Sequence, residues 1–258
     1  MITLRKSLFA VGAAMALSAG AAQAQPTFYG QDTNGSSTTR ASNIGTANAR
    51  NAFLAFLGGS ARTEEFESFL IGDTPPLELD FGTDRTIATL NAAGQSGRVL
   101  RDPGDGLTTD GFGRYANSRP GYYETRSTTD DNTTFTINFS QRISAFGFVG
   151  IDIGDFGSQL SLQFLRGGVE VATFALPYVA SDGTDSRRDG SRLFAGFTAS
   201  NRFEQFDQVR FRGTDRDDVF AFDDMTIAVV PEPATVGLLA TGVAALGLVG
   251  YRRRRDQA

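Results

Sequence analysis

The chain has 258 residues, a formal charge of −5 and neither histidine nor cysteine. Those two absences exclude Ser-His-Asp hydrolases, histidine-based zinc sites, thiol nucleophiles and any disulfide framework. Lys6 is the only lysine; setting aside Arg5, Lys6 and the four tail arginines leaves eighteen basic against twenty-seven acidic residues between Gln25 and Val230, a net charge of −9 that argues against nucleic acid as a partner.

Residues 1–24 have a basic start (Arg5, Lys6), an apolar core from Leu8 to Ala19 and a small-x-small ending, Ala22-Gln23-Ala24. This is the pattern of a cleavable signal peptide, so the mature chain is expected to begin at Gln25. Residues 25–62 read as an irregular lead-in followed by a short helix. Gly, Ser, Thr and Asn dominate up to Asn43, which favours loop. From Thr46 to Leu57 the spacing of Ala49, Phe53, Phe56 and Leu57 puts apolar groups on one helical face, and Gly58-Gly59 supply the stop.

Beyond this the period changes from helical to alternating. Leu77, Leu79 and Phe81 share one face, as do Phe135, Ile137 and Phe139, then Leu160, Leu162 and Phe164, then Val169, Val171 and Thr173, then Val209 and Phe211. Runs of period two separated by Gly, Asp and Asn clusters are half-buried antiparallel strands. Gly167-Gly168 reads as a hairpin turn, and Ser144 to Ile153 as a more continuously apolar central strand. About eight strands without intervening helices, with 22 phenylalanines in the chain to fill an interior, predict a mainly β fold over 63–230. The expected architecture is an antiparallel two-sheet sandwich. A jelly roll is preferred to an immunoglobulin arrangement because strand spacing is irregular and no cysteine-tryptophan hallmark is present.

The stretch ending the body, Phe222-Asp223-Asp224-Met225-Thr226-Ile227, resembles the final strand of jelly-roll carbohydrate-binding modules and related adhesive domains. The resemblance implies a calcium ion joining first and last strands, with Glu67, Asp223 and Asp224 as its ligands. Alternation places Asp223 on the buried face with Met225 and Ile227, and a buried carboxylate needs a cation or hydrogen-bond donors. The alternative is that Asp223 bonds an arginine or a turn amide while Asp224 faces water. A second candidate is the segment holding Tyr115, Tyr122 and Tyr123, with Arg114, Asn117 and Arg119. It reads either as a glycan-contact surface or as a loop whose tyrosines cap the fold. Without His or Cys, the remaining enzyme chemistry is a carboxylate-pair glycosidase or a metal-assisted hydrolase, and the chain has no tryptophan to stack on sugar. No enzymatic activity and no catalytic residues are expected. The alternatives are a calcium-dependent carbohydrate-binding module acting on exopolysaccharide and, after it, a glycan-active hydrolase.

Residues 231–255 carry Pro231-Glu232-Pro233, an uncharged apolar run over 234–251, and Arg252-Arg253-Arg254-Arg255. The run would span roughly 27 Å as a helix, enough for a single transmembrane segment. The arginines place its C-terminus in the cytoplasm, and the two prolines hold an extended segment outside the membrane. This combination resembles a PEP-CTERM sorting tail. The resemblance implies a Gram-negative bacterium, transient residence in the inner membrane, recognition and cleavage by an exosortase near Pro231–Pro233, and delivery to the cell surface or extracellular matrix.

Overall fold

The computed structural model describes residues 26–82, 86–92, 97–109, 112–126, 133–154, 159–177, 189–213 and 218–229. The signal peptide at 1–24 and the sorting tail at 231–255 lie outside them, as do Ala22, Ala24, Gln25, Pro231, Glu232, Pro233 and Arg252 to Arg255. No helix among the described residues is long and apolar enough to cross a membrane.

The described residues are mainly antiparallel β structure with one α-helix. The strands are β1 (Thr27–Asp32), β2 (Ala61–Glu64), β3 (Leu77–Asp80), β4 (Ile87–Ala92), β5 (Arg98–Arg101) and β6 (Gly121–Arg126). They continue as β7 (Thr133–Ile151), β8 (Leu160–Arg166), β9 (Val169–Ala175), β10 (Arg192–Thr198), β11 (Phe206–Gly213) and β12 (Val219–Val229), with helix α1 (Ile44–Leu57) after β1. The twelve strands form one hydrogen-bonded sheet, folded over at β7. The first part of β7 pairs with β4 and β11, and β3, β8 and β9 extend that front layer. The second part pairs with β10 and β12, and β1, β6, β2 and β5 complete a rear layer.

The corner lies at Ser140, Gln141 and Arg142, all exposed between buried Phe139 and Ile143. Along this stretch β11 advances from Phe206 to Gln208 while β7 retreats from Ile143 to Asn138. The extra β7 residues are pushed out of the ladder, which bends the strand into the other layer. Aromatic rings fill the space between layers. Phe211 of the front stacks on Phe135 with centroids 4.1 Å apart and meets Phe148 and Phe222 of the rear at 5.2 and 5.1 Å. Phe164 stacks on Phe197 across the same gap at 4.0 Å. Most inward residues of the alternating runs read from the sequence are buried here; Val169 and Thr173 of β9 are instead exposed, because a bulge shifts β9 against β8.

A second apolar cluster lies on the far side of the rear layer, under α1. Gly147 and Gly196 face each other across β7 and β10, and the Phe53 ring occupies the notch they leave. A Cβ on either glycine would come within 2.9 or 2.8 Å of that ring. Asp32 of β1 caps the start of α1, its carboxylate accepting from the amides of Ile44, Gly45 and Thr46 and from Ser42 Oγ. Burial works to raise the Asp32 pKa, but these bonds outweigh it and hold the carboxyl below its usual value. The helix thus begins two residues before the expected Thr46. Phe56, expected on its buried face, is 59% exposed, because only Phe53 finds a notch deep enough for a ring. Phe53→Ala empties that notch and is expected to lower stability by about 3–5 kcal/mol, measured by urea unfolding.

Candidate functional site

The two aspartates of the last strand lie at a bulge. Asp223 pairs with Val149 but Thr226 with Gly147, so β12 carries one residue more than β7 between these points. Asp224 takes a left-handed φ of 49° to accommodate it. At the same point β12 changes its other neighbour, from β6 at Val219–Phe222 to β2 at Met225–Ala228. Simple alternation would bury Asp223 and expose Asp224. The bulge buries both completely.

Donors from the loop entering β6 surround the pair. Asp223 Oδ2 accepts from the amides of Asn117 at 2.7 Å and Ser118 at 3.2 Å, and its Oδ1 accepts from the Asp224 amide at 2.7 Å. Asp224 accepts from Asn117 Nδ2 and Ser118 Oγ, both at 2.6 Å, and Arg50 of α1 approaches it to 3.6 Å. Asn117 Oδ1 in turn accepts from Arg192 of β10 at 3.1 Å. Burial first, and the adjacent Asp224 second, push the Asp223 pKa well above the usual carboxylate range, against the pull of its amide donors. A cleft of about 170 Å³ opens beside this network, lined by Arg40, Asp102, Asn117, Ser118 and Arg119.

Glu67, expected to join the aspartates, is committed elsewhere. It accepts from the Gly121 amide at 2.6 Å and pairs with Arg101 at 3.3 Å. Among the described residues no three acidic, histidine or cysteine side chains come together to hold a metal ion. The groups aimed at Asp223 and Asp224 are N–H and O–H donors, and a cation would have to displace them. This donor set does not fit the calcium site expected from Glu67, Asp223 and Asp224. The carboxylate that does lie beside β12 is Glu64, opposite Met225 and buried. It accepts from the amides of Phe66 and Asp80 at 2.7 and 2.8 Å, yet burial still raises its pKa.

The tyrosines are likewise interior groups, which corrects the expectation of a glycan-contact surface. Tyr115, Tyr122 and Tyr123 are all fully buried. Tyr115 lies between the guanidiniums of Arg40 and Arg192, 5.2 and 5.0 Å from its ring centroid. Its hydroxyl donates to Gly190 O and accepts from the Ala41 amide. On β6, Tyr122 enters the cluster beneath α1 and Tyr123 the inter-layer core, where it packs against Phe66 and Phe135. Arg114 pairs with Glu124 at 2.7 Å, and Arg119 with Glu65 at 2.7 Å. Sequence reasoning missed Arg50, Arg192 and Glu64; no local pattern marks the first two, whereas Glu64 is one of a run of acids at the end of β2.

Residues 229–255 match the family described as the PEP-CTERM protein-sorting motif. No curated protein matches the chain. Among solved structures it is similar to the K2 cleaved adhesin domain of Lys-gingipain, with 13% identity and a TM-score of 0.35 over 67% of this chain and 100% of that one. The K3 cleaved adhesin domain of Lys-gingipain from Porphyromonas gingivalis w83 shows 12% identity and a TM-score of 0.31 over 65% and 98%. TmCBM61 in complex with β-1,4-galactotriose shows 12% identity and a TM-score of 0.26 over 55% and 88%. Likenesses this low fix neither topology nor ligand.

Because burial raises the Asp223 pKa above the value of about 4 in the unfolded chain, the group's contribution to stability is complete below that pH. It is lost as pH rises toward the native pKa. Unfolding free energies measured from pH 4 to 8 should therefore fall more steeply for the wild type than for Asp223→Asn. Melting curves in calcium and in chelator are expected to share one midpoint; a midpoint raised by calcium would return the metal to this site.

Proposed function

We propose that the chain is an exported protein sorted through its C-terminal tail to the cell surface or extracellular matrix, with a structural or adhesive, non-catalytic β body. The observation that carries this reading is the sorting motif at 229–255. An exosortase is the partner that such a motif implies, and the apolar run at 234–251 is the segment that would hold the protein in the membrane while it is processed. The alternative, an exopolysaccharide-binding module, concerns the body and leaves the sorting reading unchanged.

The fold is compatible with removal of both ends. β1 begins at Thr27 and β12 ends at Val229, so cleavage after Ala24 and near Pro231 would leave every strand in place. Three of its buried carboxylates, Asp32, Glu64 and Asp223, are each engaged by backbone amides.

Replacing Pro231, Glu232 and Pro233 together by alanine tests the sorting reading in the producing cell. The wild type should appear as a shortened, released species. The triple variant should remain full length and membrane-associated, with the shortened form reduced about tenfold or more. Equal shortening and release of the two proteins would overturn the proposal.

A further inference from the structure

The outer face of the front layer is built unlike the rest of the surface. Its inward residues, among them Leu90, Ile137, Phe164, Val209 and Phe211, belong to the core, so the alternate residues face outward. Register aligns them in rows across the strands. One row runs Asn91–Thr136–Arg210–Gln163–Thr173 over β4, β7, β11, β8 and β9. The row beside it includes Thr89, Asn138 and Gln208. At the usual spacing between strands of about 4.8 Å the five-strand row is roughly 19 Å long. Where β7 turns the corner, a cleft of about 480 Å³ opens among Asn138, Ser140, Arg142, Gly168, Asp207 and Gln208.

The middle of this face differs in charge from its margins. The protein has a formal charge of −5, yet the outward positions of β4, β7, β11 and β8 in these rows hold no carboxylate. Acids occur only toward the sides: Glu78 and Asp80 on β3, and Glu170 on β9, already engaged by Gln163 and Thr173. At the cleft, Asp207 accepts from the Gly167 amide. The side chains of Arg210 in the middle of the long row and Arg142 in the cleft, by contrast, have no ion pair or hydrogen bond among the described residues.

We propose that this face is a binding strip for a carboxylated polysaccharide, with Arg210 and Arg142 meeting its carboxylates and the Asn, Gln and Thr side chains its hydroxyls. Amide groups donate and accept at once, which suits a polyhydroxylated chain, and a guanidinium grips a carboxylate through two parallel bonds. The strip holds none of the aromatic anchors on which a protein partner's affinity concentrates. Two arginines on an acidic protein do not make the basic surface that a nucleic acid requires. This inference concerns the body alone and stands apart from the sorting reading, since tail processing does not involve the strip.

Affinity electrophoresis of the full-length protein through gels containing polygalacturonate, neutral galactan or double-stranded DNA tests it. Polygalacturonate should retard the wild type, less so as salt is raised, while galactan and DNA should not. The double variant Arg142→Gln/Arg210→Gln should bind polygalacturonate about tenfold more weakly with an unchanged melting midpoint. Absence of retardation by polygalacturonate, equal retardation by galactan or DNA, or undiminished binding by the double variant would each overturn the proposal.

Discussion

Much of the molecule depends on where β12 is held. It is the last strand among the described residues, yet it lies inside the rear layer, bonded to β7 along one side and to β6 and then β2 along the other. A strand can serve two consecutive neighbours on one edge only if its path is adjusted where they meet, and the Asp223–Asp224 bulge is that adjustment. The bulge turns two carboxylates into the protein, and burying them is unfavourable without donors. The loop at Asn117 and Ser118 supplies those donors, and Arg192 and Arg50 bring β10 and α1 into the same network. A local change in strand pairing thereby fixes a loop, a helix and a neighbouring strand.

The rear layer is buried on both sides as a result. Its inner side meets the phenylalanine core, and its outer side lies beneath α1 and the loop that carries Tyr115. The Gly147–Gly196 pair lets Phe53 approach the backbone closely. Among the described residues the front layer has no such cover on its outer side, and its central outward rows are amide, hydroxyl and guanidinium groups. The two layers share a core and one long strand, but they present different chemistry to their surroundings.

The front layer was largely legible in the sequence because strands buried on one side keep a period of two. Leu77 and Leu79, Phe135 to Phe139, Leu160 to Phe164, and Val209 and Phe211 all point inward as that period requires, and Gly167-Gly168 turns β8 into β9. The rear layer was harder to read. β10 is buried at every position, which erases alternation, and β1 lies within a stretch whose polar composition reads as loop. The sequence left two readings of the tyrosines open because their partners are remote: Tyr115 bonds to Ala41, Gly190 and Arg192, the last two 75 and 77 residues away. Asp224 escaped for a related reason, since an inserted residue breaks the pattern from which exposure is inferred. The tail depends on none of this. It is read from an ordered set of residue types and matches a family without reference to the fold.

The central position of β12 also has a mechanical side. A load applied at Val229, by a membrane segment or by a surface to which the chain is joined, enters the sheet through an interior strand instead of an edge. Drawing that strand out would mean breaking the ladder to β7 and the ladders to β2 and β6, while stripping the buried aspartates of their donors. An edge strand such as β1, bonded only to β10, would give way through a single ladder. The end of the body that precedes the sorting motif is therefore the end better able to bear tension.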